Sequence, residues 1–232
     1  MRIVIKLGTS TLAHPTGLLN IKRVEELCKV MSDLKNAGNE IIIVSSGAIG
    51  MGAGKLVLSE KPKDIRTKQA AAAVGQCELM YTYDKLFSEY NHTVAQILIT
   101  GEDIEHAERS RNFENTMLRL LELGAIPIIN ENDSVATDEI VIGDNDTLGA
   151  IVAKSISADL LILLSDIDGL FTADPHKDKN AVLLSEVKEI TPEIEGMTGG
   201  AGSRLGTGGM TTKLNAAKIA TAAGIDMVIA NG

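Results

Sequence analysis

The chain has 232 residues, a formal charge of −9, 44% hydrophobic residues and only 3% aromatic ones, with no Trp. That length and apolar content suffice for a sizeable core, and the aliphatic, glycine-rich make-up suits a layered α/β protein with buried parallel strands. The acidic balance argues against nucleic acid or an anionic membrane as the main partner, yet leaves room for a phosphate ligand held by local lysines and backbone N–H groups.

The opening residues lack the apolar stretch of a signal peptide, and no segment approaches the ~18 consecutive apolar residues of a membrane span. A soluble, cytoplasmic protein is expected. Cys28 and Cys77 show no CxxC spacing and read as two buried, reduced thiols.

In chain order, Ile3 to Ile5 predicts a buried strand that runs through Lys6 into the turn Gly8-Thr9-Ser10. Asn20 is placed to cap a helix whose apolar residues Ile21, Val24, Leu27, Cys28, Met31 and Leu34 fall at helical spacing, with Gly38 as the stop. Ile41 to Val44 is a second strand, ending in Ser45-Ser46-Gly47. An alanine-rich segment from Asp64 to Tyr90 reads as one or two helices, and Val94 to Ile99 as a third strand. Thr100 with Asp103 forms a capping box for one helix ending at Gly124. Ile126 to Ile129 is a fourth strand, followed by Asn130-Glu131-Asn132-Asp133. Residues 134–143 predict a hairpin, and Asp144 caps a helix through Ser157. Leu160 to Leu164 is a fifth strand ending at Ser165-Asp166. Thr172 to Asn180 reads as loop, and Ala181 to Val187 as an edge strand. A helix from Gly208 through Ala223 and a strand at Met227 to Ala230 follow.

Strands alternating with helices predict right-handed βαβ units around a mostly parallel sheet, with ligands at the carboxyl ends of the strands. Every polar, small-residue turn noted above follows a strand. No linker composition marks a boundary, so one domain of two lobes is expected over residues 1–232.

Three groups of residues can carry chemistry. The turn Thr207-Gly208-Gly209-Met210-Thr211-Thr212 entering a helix, with Lys213 one turn in, offers free N–H groups, hydroxyls and an ammonium to a polyphosphate. Lys6, directly after an aliphatic strand, must reach solvent or meet a ligand. Asn130 to Asp133 and Gly143 to Asp146 form two acidic, amide-rich clusters suited to an amino group or to holding the lysines. The segment Gly47 to Lys55 lacks the pattern of a phosphate loop, having Ile49 and Leu56 where Gly and Ser or Thr are required. The four histidines, His14, His92, His106 and His176, are scattered and predict no metal site.

These motifs resemble a known family. Lys6-Leu7-Gly8-Thr9-Ser10 and Val44 to Ile49 resemble the first two loops of the amino-acid kinases. Ile129 to Asp133, Gly143 to Asp146 and Leu205 to Met210 with Lys213 are similar to the branch formed by the glutamate 5-kinase family. The resemblance implies a three-layer αβα sandwich of the carbamate kinase-like type, its N-terminal lobe binding the amino acid and its C-terminal lobe binding ATP with Mg²⁺. It assigns Lys6 and Lys213 to the phosphoryl group and Asp146 to organising them. Ser46, Gly47, Asp133 and Asn145 fall to the amino acid. Ser165, Asp166, Thr207, Gly208, Gly209, Met210, Thr211, Thr212 and Lys213 fall to the nucleotide.

It further implies a homo-oligomer, feedback inhibition by proline, and hand-off of product to glutamyl phosphate reductase. Many members continue into a C-terminal PUA domain, for which a chain ending at Gly232 leaves no room; the chain also ends before the family's last helix and strand. Two other readings stay open from the sequence: a different kinase of this fold, such as one for acetylglutamate or aspartate, and a non-catalytic amino-acid sensor.

Overall fold

The computed structural model describes residues 1–14, 16, 18–135, 144–175, 177–197 and 209–232. In chain order the elements are β1 (Arg2–Leu7), α1 (Thr9–Leu12), α2 (Ile21–Asn36), β2 (Glu40–Ser45), α3 (Ala48–Lys55), α4 (Ile65–Ser88), β3 (Val94–Ile99), α5 (Gly101–Glu105), α6 (Ala107–Glu122) and β4 (Ile126–Glu131). There follow α7 (Asn145–Ser155), β5 (Leu160–Ser165), β6 (Leu170–Phe171), β7 (Leu183–Leu184), α8 (Pro192–Gly196), α9 (Met210–Ala222) and β8 (Asp226–Asn231).

The aliphatic runs pair into one parallel sheet in the order β3-β4-β2-β1-β5-β8. Alternation along each strand sends side chains to two cores. Ile3, Ile5 and Leu7 of β1 pack with Ile41 and Ile43 under α2, α3 and α4, where Cys28, Leu79, Tyr83 and Phe87 lie. Val4, Ile42, Val44, Leu161 and Leu163 point the other way, onto α6, α7 and α9 through Met117, Leu148, Val152, Ala216 and Ala220. The molecule is therefore the expected three-layer αβα sandwich, and because all six strands run in one direction, their carboxyl ends gather along one edge.

The caps explain most boundaries. Asn20, Asp64 and Asp144 each accept a hydrogen bond from a backbone N–H in the first turn that follows, at Arg23, Thr67 and Thr147. Gly38 ends α2 with φ +91°, a conformation that glycine adopts without Cβ strain.

Several expectations need correction. The helix opened by the Thr100–Asp103 capping box stops after Glu105; His106 is extended (φ −81°, ψ 112°) and starts a second helix. β4 runs on through Asn130 and Glu131, so only Asn132 to Val135 form the turn. The edge strand at 181–187 shrinks to Leu183–Leu184, paired antiparallel with β6 and not with the main sheet. Cys77 is exposed on α4, whereas Cys28 is buried as expected. The glycine-rich segment after Ser46 is a helix, α3, packed backbone to backbone on α4. A Cβ on Gly52 would stand 1.7 Å from the Ala71 carbonyl oxygen, and one on Gly75 would stand 1.8 Å from that of Ala48. The hairpin expected at 134–143 lies outside the described residues beyond Val135.

Candidate active site

β1 delivers Lys6 to the edge where strands end. It shares the face of Val4, so its side chain heads toward α7 and α9 and is 8% exposed. Its turn is tight: the Gly8 N–H donates to the Leu164 carbonyl at 3.3 Å, and a Cβ at Gly8 would sit 3.5 Å from Lys6 Nζ. From the opposite side α9 brings in Lys213, one turn from its start and 5% exposed.

Between them stands Asp146, in the first turn of α7 and 1% exposed. Its two oxygens serve different lysines. Oδ1 is 2.6 Å from Lys6 Nζ, an ion pair outside hydrogen-bond alignment, while Oδ2 accepts from Lys213 Nζ at 3.0 Å and from Thr212 Oγ1 at 2.8 Å. Burial alone would raise the Asp146 pKa. The charges of Lys6 and Lys213 and the hydrogen bonds to the carboxylate outweigh it, so the net shift is downward. Two buried cations on one anion leave a local excess of one positive charge, suited to an anionic group arriving at the strand ends.

Next to Asp146, Asn145 turns toward the β2 and β4 ends. Its Nδ2 donates to the Ser45 carbonyl at 2.8 Å, to Ser46 Oγ at 2.8 Å and to Asn130 Oδ1 at 3.1 Å. Asn130 in turn takes the Glu131 N–H on its Oδ1 and donates through Nδ2 to Gln76 Oε1, both at 2.9 Å. Ser45 Oγ meets Tyr83 OH at 3.0 Å. Gly47 follows with φ +94°, which lets the chain turn from β2 into α3 without Cβ strain. Asp133 lies in the turn after β4, on a cavity of about 410 Å³ shared with Ala48, Gln76, Gln96 and Asn132. Burial raises its pKa, and no cation offsets that among the described residues.

The structure thus joins Lys6, Lys213, Asp146, Asn145 and Ser46 in one connected set. Thr212, in the first turn of α9, donates through Oγ1 to Asp146 Oδ2. Gly209, Met210 and Thr211 open α9 beside it, with Gly209 as the N-cap and no side chain capping. Ser165 ends β5, and its Oγ donates to Oδ1 of the following Asp166 at 3.1 Å. Thr207 and Gly208 lie outside the described residues. Sequence reasoning missed Gln76 and Tyr83. Both are polar groups on the inward face of a long alanine-rich helix, where no strand-end turn marks them, and Gly75 beside Gln76 reads from sequence only as a close packing point.

The family model described as the amino acid kinase family matches residues 1–231. The chain is 59% identical over 231 residues to the glutamate 5-kinase of Clostridium acetobutylicum, covering 100% of this chain and 86% of that one. It is 57% identical over 230 residues to the glutamate 5-kinase of Carboxydothermus hydrogenoformans, covering 99% of this chain and 62% of the longer relative. Among solved structures, the carbamate kinase from Giardia lamblia bound to AMP-PNP superposes with a TM-score of 0.69 at 18% identity, covering 99% of this chain and 92% of that one; the likeness is one of fold. The chain belongs to the amino acid kinase family and, within it, to the glutamate 5-kinases.

Proposed function

We propose that this chain transfers the γ-phosphoryl group of ATP to the side-chain carboxylate of L-glutamate, forming L-glutamyl 5-phosphate and ADP at the head of proline biosynthesis. The observation that carries the reading is Asp146, holding one buried lysine on each carboxylate oxygen where the strand ends meet the start of α9.

The acceptor explains what the site needs. A glutamate γ-carboxylate, with a pKa of about 4.3, is already ionised at neutral pH, so no base is required. Its oxygen attacks the γ-phosphorus, the bond to the β–γ bridging oxygen breaks, and the electron pair leaves with ADP. The obstacle is anion meeting anion, and the remedy is fixed positive charge plus alignment. Lys6 and Lys213 flank the phosphoryl oxygens, and Asp146 keeps both ammoniums aimed there. Ser46, Gly47 and Asn145 position the γ-carboxylate, and Asp133 takes the α-ammonium; its burial-raised carboxyl, without a partner among the described residues, is what such a cation would relieve. Gly209 to Lys213, with Thr207 and Gly208, bind the polyphosphate, and Ser165 and Asp166 take the rest of the nucleotide. The residues fit a nucleotide carrying its own magnesium ion, which would neutralise phosphate charge.

On this reading the amino acid occupies the lobe of β1 to β4, and the nucleotide that of β5, β8 and α9. The cytoplasm supplies both substrates and suits two free cysteines. Proline as inhibitor, self-assembly, and delivery of the acyl phosphate to a reductase complete the proposal.

The test is ATP consumption with Mg²⁺ against glutamate, N-acetylglutamate, aspartate, carbamate and UMP, trapping acyl phosphate as its hydroxamate. Glutamate-dependent hydroxamate is expected. Turnover with another acceptor alone would overturn the assignments of Asp133 and Asn145.

A further inference from the structure

The direction of three side-chain amides, two buried and one half-buried, is fixed by two backbone groups. A backbone N–H only donates and a carbonyl only accepts. The Glu131 N–H therefore sets Asn130 Oδ1 toward itself, which turns Asn130 Nδ2 to Gln76. The Ser45 carbonyl sets Asn145 Nδ2 toward itself, in agreement with its second contact to Asn130 Oδ1. Flipping any one amide would put donor on donor or acceptor on acceptor.

Gln76 ends this chain. Its Oε1 is taken by Asn130, and its Nε2 has no partner among the described residues. The residue is 8% exposed, and it lines the cavity of about 410 Å³ that also holds Asp133. Nε2 is open to that cavity and Asn130 holds its direction, so an anionic group arriving there meets a donor already in place. The cavity thus presents a fixed, neutral double donor and the Asp133 carboxyl, unpaired among the described residues; Glu131 also lines it, and no Lys or Arg does. That is the complement of an α-amino-acid head group, one side for the ammonium and one for the carboxylate.

We propose that Gln76 is a substrate-binding residue whose Nε2 donates to the α-carboxylate of the amino acid while Asp133 takes its ammonium. The inference rests on the acceptor being a free α-amino acid, as set out under the proposed function.

Gln76→Glu separates binding from scaffolding. The substituted carboxylate can still accept from Asn130 Nδ2, but it replaces the donor with an anion facing the α-carboxylate. The KM for glutamate should rise at least tenfold, with the KM for ATP little changed. 4-Aminobutyrate, which is glutamate without its α-carboxylate, should be affected far less, so the preference for glutamate over it falls. An unchanged KM for glutamate, or equal losses for both acceptors, would overturn the proposal and leave Gln76 as a support for Asn130. A second measurement uses the unaltered protein. The ¹⁵N-labelled Nε2H₂ pair of Gln76 should shift on saturation with glutamate and stay in place with 4-aminobutyrate. A pair unmoved by glutamate overturns the inference; the expected shift without any phosphoryl transfer would overturn the proposed reaction and uphold the binding site.

Discussion

Asp146→Asn is the sharpest perturbation of this site. The substitution keeps shape and one acceptor oxygen but removes the negative charge between two ammoniums whose side chains are 10% and 6% exposed. Deleting one partner of a buried ion pair costs about 3–5 kcal/mol, because the remaining charge stays desolvated. The retained oxygen can still accept from Thr212, which favours the lower end, about 3 kcal/mol. In a chain of this size each kcal/mol moves the midpoint by about 2–4 °C, so a drop of about 6–12 °C is expected.

The pH dependence gives a second handle. The Asp146 pKa is depressed in the folded state, so its contribution is fully present above the unfolded value of about 3.9 and is lost as pH falls through the folded value. The gap between wild type and variant should be full at pH 7 and shrink only below about pH 4. Turnover should fall by about 10²-fold or more, in line with losing an oxyanion donor, since the lysines lose their aim. Urea and thermal unfolding with hydroxamate-trapped turnover check both. A variant as stable as wild type at pH 7, or one that turns over normally, would refute Asp146 as the organiser.

Asp133→Asn should act in the opposite sense on stability. Burial raises its folded pKa, so stability falls as pH rises through the window above about 3.9, and at pH 7 the carboxylate is a net cost. The ligand-free midpoint should rise while the KM for glutamate climbs far more than that for ATP; a lower midpoint would contradict this account. Gly75→Ala puts a Cβ 1.8 Å from the Ala48 carbonyl oxygen and 2.6 Å from Gly52 N. It should cost about 3 kcal/mol, the upper end of overpacking penalties, and raise the KM for glutamate by displacing the Ser46–Gly47 turn; unfolding and kinetics that match wild type would refute it. Cys28 is 0% exposed with its thiol pushed up to about 12 by burial and, less so, by Glu25. A thiol reagent should therefore modify Cys77 alone in native protein and both cysteines in denaturant, and native Cys28 labelling would break the expectation.

Much of this architecture was legible because its signals are local. Aliphatic runs marked the strands of the main sheet, Asn20 and Asp144 announced helix starts, and the polar turns after strands pointed to the edge where Lys6, Asn145, Asp146 and Lys213 meet. What escaped depends on contacts distant in sequence. Glycines at 50, 52 and 54 argue against a helix by propensity, at about 1 kcal/mol each. α3 forms nonetheless because Gly52 and Gly75 let two backbones touch, and no single segment shows that. The break at His106 likewise lies within a continuous helical pattern. Gln76 became visible only once Asn130 stood opposite it. Asp146 was the exception, since its pairing with both lysines was expected from family likeness before any distance was measured.

The strand order also dictates when the site can exist during folding. β1 lies mid-sheet between β2, an early neighbour in sequence, and β5, whose approach brings Arg2 against Asp159, 157 residues away. Closing so long a loop is entropically slow, and the further step from Asp146 to Lys213 spans another 67 residues. A chain with only β1 to β4 assembled would already possess the Ser46, Asn130 and Gln76 side of the site. It would hold one lysine, with neither its counter-ion nor its twin. Acquisition of phosphoryl chemistry therefore coincides with the last long-range closures, and recovery of turnover after dilution from denaturant reports on completion of the whole sheet.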